Sequence, residues 1–186
     1  QVDLAYDPAA PGEKIRPPAP VVLLAQNERG YENLLMLNSD LYSNLDGEVP
    51  QLQISELLEH TEGVICLTGG SDGPLGRLLR AGQLEKTQSL AIKLAQAFGD
   101  RLYVELQRHP SDDGVVPDAE RLSERGLVEL AYSMDLPLVA TNDVYFDQAK
   151  MYEAHDALIC IADGSYVDQQ EPRRRCLLYT SPSPRD

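Results

Sequence analysis

Three short stretches carry residue types suited to chemistry, and each lies where an apolar run ends. ICLTGGSDG (65–73) runs into a glycine-rich turn, YVELQRHP (103–110) holds Glu105 and His109, and VATNDVYF (139–146) holds Asp143 and then Tyr145. Glutamate, histidine and aspartate are donors that bind borderline divalent metals. Each stretch also has a plainer use. A glycine-rich turn between strand and helix is usually a tight connection, and this one lacks the Gly-Lys-Ser/Thr of a phosphate-binding loop. His109, just ahead of Pro110, is by itself a loop histidine, and Asp143 alone can cap a turn through local N–H groups. His155 shares a helix face with Met151 and Leu158 and fits a core histidine, while His60 reads as exposed and incidental.

The elements that must position these residues alternate in type. VVLLAQ (21–26) is a strand, and Asn27 stands where a helix cap belongs. Tyr31, Leu34, Leu35, Leu41 and Tyr42 keep helical spacing, which predicts an amphipathic helix over 28–42. A short helix around 55–60 precedes a strand at 63–69. Pro74 suits a first helical turn and Gly82 a helix stop. Leu84, Ala91, Leu94, Ala95 and Phe98 mark the inner face of the next helix. LYVELQ (102–107) is a strand, and 110–117 is a polar loop. Asp118 to Met134 is helical, with Ala119, Leu122, Leu127, Leu130, Ala131 and Met134 as its core candidates. LPLVATND is the next strand, and Asp147 can cap a helix running to about Ala162, stopped by Gly164.

Strands alternating with helices of this length imply an α/β fold with a mainly parallel sheet and helices packed outside it. Near-continuous apolar strands such as VVLLA and LPLVA fit a sheet covered on both faces. An open doubly wound sheet and part of a barrel both satisfy the pattern. In either arrangement functional groups gather at the carboxyl ends of the strands.

The totals narrow the function. The chain has 186 residues, enough for one domain with a real core. Its net charge is −14, from 16 basic and 30 acidic residues, so it repels phosphate backbones and is no nucleic-acid binder by itself. Cys66, Cys160 and Cys176 form no CxxC pair, which argues against a zinc ribbon or disulfide scaffold and fits a reducing compartment. No apolar run approaches the roughly 18 residues of a membrane helix. The sequence opens on Gln1-Val2-Asp3 and reads as starting inside a longer protein. Residues 173–186 (RRRCLLYTSPSPRD) differ in composition and read as a linker or a non-native tail.

VVLLAQNERGYENLLMLNS, CLTGGSDGPLGRLL, LYVELQRH, LPLVATNDVYF and EAHDALICI, in that order, resemble the PHP (polymerase and histidinol phosphatase) domain of bacterial DNA polymerase III alpha subunits. The resemblance spans nearly all of residues 1–172. It implies a partial PHP-type distorted β/α barrel, lacking its amino-terminal strand or strands and the HxH motif that opens the family's metal site. His109 and Asp143 match family ligands. Gly70 stands at a cysteine position, Tyr145 at the histidine of an NDVH pattern, and Gln1 at a position where metal-binding members place glutamate. A phenol with a pKa near 10 is a poor substitute for imidazole, and glycine supplies no ligand. The implied site is therefore degraded, with no Zn2+ or Mn2+ or only weakly held ions.

The expectation that follows is a fragment of a replicative polymerase whose PHP domain is structural and partner-binding. The whole protein would use Mg2+ held by carboxylates outside this sequence, and would touch DNA there. Expected partners are the polymerase body of the same chain, the proofreading exonuclease subunit and other replicase subunits, with no membrane, in the bacterial cytoplasm. The rivals are a metal-dependent 3′–5′ exonuclease domain and a free-standing PHP phosphoesterase.

Overall fold

The structure, a computed structural model, describes residues 2–5, 18–43, 51–110, 115–142 and 148–168. It falls into two compact units, one of residues 1–106 with 118–140 and the other of residues 107–117 with 141–186. The first holds a six-stranded sheet. Its strands are β1 (Val2–Ala5), β2 (Ala19–Ala25), β3 (Leu52–Gln53), β4 (Val64–Leu67), β5 (Leu102–Leu106) and β6 (Leu138–Ala140), in the order β3-β1-β2-β4-β5-β6. Pairing is antiparallel for β1 with β2 and for β2 with β4, and parallel for β1 with β3, β4 with β5, and β5 with β6. All strands but β2 therefore run the same way, and the sheet is mainly parallel.

The helices of this unit are α1 (Glu28–Ser43), α2 (Ile54–Glu59), α3 (Pro74–Arg80), α4 (Leu84–Phe98) and α5 (Asp118–Ser133). Their apolar faces share one core with alternate strand residues. Val21, Leu23, Val64, Cys66, Leu102 and Val104 are buried there against Leu37, Leu57, Leu75, Leu94, Phe98 and Leu127. The intervening strand residues Val22, Ile65, Leu67 and Tyr103 stay partly exposed, and Leu24 is 47% exposed. The two faces of the sheet thus differ, where the apolar runs had suggested equal cover. The reason is that these helices all pack into the single core on one face. β6 departs furthest from the expectation: only three residues pair, and Leu138 and Ala140 are exposed.

Local signals explain the helix boundaries. Asn27 Oδ1 accepts from the Gly30 N–H at 2.9 Å, which satisfies a donor that the first turn leaves open. α3 ends as its sequence suggests: the Gly82 N–H reaches the Leu79 carbonyl at 2.9 Å and the Gln83 N–H reaches Leu78 at 3.0 Å. The inner face of α1 is a surprise. Gly30, Asn33 and Leu37 are buried, whereas Tyr31, Leu35 and Tyr42 point outward. A Cβ on Gly30 would run into the Gly63 carbonyl oxygen, and Asn33 Nδ2 donates to the Glu62 carbonyl at 2.8 Å. The helix is drawn onto the 62–63 turn by backbone proximity, and that contact selects the face.

The second unit contains α6 (Tyr152–Asp163), preceded by a single 3-10 turn at Ala149–Met151. Gly164, at φ +64, ends the helix. The proposed cap Asp147 lies outside the described residues. No helix among the described residues is long and apolar enough to cross a membrane.

Candidate functional site

β4 and β5 run parallel and bring two of the three singled-out stretches to the same end of the sheet. Their register pairs Cys66 with Leu102 and Leu67 with Tyr103. One further backbone bond, from the Thr68 N–H to the Tyr103 carbonyl at 3.1 Å, continues the pairing. Beyond it side chains take over. The Glu105 N–H donates to Thr68 Oγ1 at 3.0 Å, and the Gly69 N–H donates to the Glu105 carboxylate at 2.9 Å. Thr68 is fully buried and Glu105 is 2% exposed. A buried carboxylate requires such donors, because desolvation without them is costly.

The following loop has little freedom. Gly69 and Gly70 have φ of +77° and +56°, conformations that side chains with a Cβ disfavour. A Cβ on Gly69 would also meet the Pro20 carbonyl oxygen of β2 and stand 2.9 Å from the Gly73 Cα. The Gly73 N–H closes the turn on the Gly69 carbonyl at 2.7 Å, and Pro74 then opens α3. Gly70 itself is buried and brings no donor atom. A cysteine there would carry a backbone cost of about 1–2 kcal/mol.

Cys66, the nearest thiol in sequence, is not a replacement ligand. Burial, and secondarily the negative charge of Glu105, push its pKa from an ordinary 9.0 up to about 12. It remains a protonated thiol at neutral pH, and only the thiolate is a good nucleophile or metal ligand. Because the folded chain holds this proton more tightly than the unfolded chain, the contribution to stability is complete below pH 9. It is lost as the pH climbs toward 12. Urea midpoints of the parent chain should accordingly fall more steeply between about pH 9 and 11 than those of Cys66→Val. Parallel curves would show that Cys66 does not titrate as a buried thiol.

His109 belongs to the second unit and is half-buried. In that unit Gln107 Nε2 donates to Thr141 Oγ1 at 3.3 Å, joining the segment after β5 to the segment after β6. His155 is half-buried on α6, and His60 is half-buried at the carboxyl end of α2, less exposed than its sequence suggested. Asp143 and Tyr145 lie outside the described residues, as does Gln1. Among the described residues no three His, Cys, Asp or Glu side chains group so as to hold a metal ion. Gly70 brings no side-chain donor, and one oxygen of the Glu105 carboxylate accepts from a backbone N–H.

The residues that organise the strand end include two that residue type alone did not single out, Thr68 and Gly69. The signal was present in the register. Placed in parallel beside LYVEL, the run VICLTG sets Thr68 and Gly69 next to Glu105, which converts an acid read as a metal donor into an acceptor for the loop.

A family profile described as "PHP domain" matches residues 1–109. The chain is also similar to DNA polymerase III alpha subunits. It is 48% identical over 156 residues to that of Caulobacter vibrioides, 36% over 162 residues to that of Rickettsia bellii, and 35% over 164 residues to that of Haemophilus influenzae. These matches cover 83%, 85% and 87% of the chain and 13% of each relative, so the chain spans about one eighth of the length of the curated relatives it matches.

Proposed function

Because the chain belongs to the PHP domain family, we propose that it is a segment of a bacterial DNA polymerase III alpha subunit, and that this domain serves as a scaffold and docking surface rather than as a metal-dependent nuclease. Template-directed DNA synthesis would be the work of the whole protein. Its Mg2+-binding carboxylates would lie outside these 186 residues, whose own excess of acidic over basic side chains opposes contact with DNA. The docking partners proposed for the domain are the polymerase body of the same chain and the proofreading exonuclease subunit, within a cytoplasmic replicase.

One observation carries the scaffold reading: position 70 is a buried glycine in a left-handed conformation. It has no donor, and its backbone disfavours the residue types that would supply one. Tyr145, in place of an imidazole, supports the same reading from sequence. Loss of several ligands removes the metal-activated water on which phosphoester hydrolysis by such a site depends.

The exonuclease alternative draws support from His109 and Asp143, which keep ligand types. Elemental analysis and 3′-end hydrolysis, measured on the full-length protein purified without chelators and without the proofreading subunit, separate the two. Scaffold function predicts no zinc or manganese retained through dialysis and no zinc-dependent loss of 3′ nucleotides. Near-stoichiometric metal together with zinc-dependent hydrolysis would replace the scaffold reading with the nuclease one.

A further inference from the structure

The loop at the end of β4 is ordered by an acid on the neighbouring strand. We infer that Glu105 is a positioning residue that holds the loop Thr68–Gly73 in place without a metal, doing by hydrogen bonding what a ligand at position 70 would do by coordination. This rests on the reading of the site as one without a metal cluster.

Two bonds make the connection reciprocal. Glu105 contributes its N–H to Thr68 Oγ1 at 3.0 Å and its carboxylate to the Gly69 N–H at 2.9 Å. The acceptor is charged and almost wholly buried, and a hydrogen bond to an ionised group is roughly twice as strong as a neutral one. The bond also lands at the residue that matters most for the loop. Gly69 is where the chain leaves β4, turns through two successive left-handed residues and passes against the Pro20 carbonyl of β2. Fixing its N–H fixes the start of the turn, and the Gly73 N–H to Gly69 carbonyl bond fixes the end. A loop tied at both ends from within the protein needs no ion to hold its shape.

Hydrogen exchange on the full-length protein tests this, read on peptides covering 66–73 and, as a reference, 84–98. Glu105→Gln keeps an acceptor of similar shape but removes its charge, and should speed exchange in 66–73 by a few-fold. Glu105→Ala removes the acceptor and should speed it by about tenfold or more, as expected for a local opening. Neither should change 84–98, and a chelator should leave the parent protein unaltered in both regions. Thr68→Val, which removes only the other half of the connection, should raise exchange in the same loop and not in the reference helix. The inference is overturned if the Gln and Val variants leave 66–73 at the parent rate, or if they raise both peptides equally. It is also overturned if the chelator opens the loop as widely as Glu105→Ala does. The two readings fail separately: graded loop opening in a protein that shows zinc-dependent hydrolysis would refute the scaffold function alone.

Discussion

Replacing Phe98 by alanine should destabilise the 186-residue chain by about 3–5 kcal/mol, the cost of deleting a large buried ring and leaving a space that neighbours fill only in part. Phe98 is fully buried at the end of α4, within the core that joins the helices to the sheet. A domain's whole stability is about 5–15 kcal/mol, so one substitution would remove a large share of it. Leu84→Ala, at the start of the same helix but 62% exposed, should change stability by no more than about 0.5 kcal/mol. Urea-unfolding midpoints of both variants provide the comparison. Similar losses for the two would mean that α4 does not seat its Phe98 end in the core.

Gly69→Ala is expected to cost about 2–5 kcal/mol, from a left-handed backbone penalty of about 1–2 kcal/mol and a steric penalty comparable to overpacking. The steric part comes from Pro20, whose carbonyl oxygen occupies the space that a Cβ needs. Gly82→Ala separates the two contributions. Gly82 has a similar φ of +69°, and a methyl group added there would find nothing within 4 Å. It should lose only the backbone part, about 1–2 kcal/mol. If both variants melt together, β2 yields at no cost and the strand-end loop is looser than its hydrogen bonds imply.

Much of the fold was legible because its signals are local. Alternating strand and helix patterns gave the α/β class, Asn27 opened α1, and Gly82 and Gly164 closed α3 and α6. What could not be read depended on partners distant in sequence. The reversal of β2 follows from pairing with β1 and β4, and nothing within APVVLLA encodes direction. The short strands β1 and β3 carry too few residues for a periodic signal. The burial of Asn33 and the exposure of Tyr31 and Tyr42 follow from a backbone contact between Gly30 and Gly63, which no hydrophobic pattern contains. At the candidate site Glu105 stood out by type, but its role depends on the register of β4 beside β5 and on a backbone N–H. A residue's chemistry can be read from its name; its employment depends on its neighbours.

The unequal faces of the sheet also bear on how such a gene can change over generations. Val21, Leu23, Val64, Leu102 and Val104 answer to a packed helix layer, where a change of one methylene is felt. Val22, Leu24, Ile65, Leu67 and Tyr103 meet solvent in part, and a polar exchange there costs much less. Drift along these strands is thus filtered at every second codon, while in α4 and α5 the filter follows the helical turn. Divergence should therefore beat with a period of about two in the strands, broken in β5 by the buried Glu105, and near 3.6 in the helices, a record of packing written into permitted replacements.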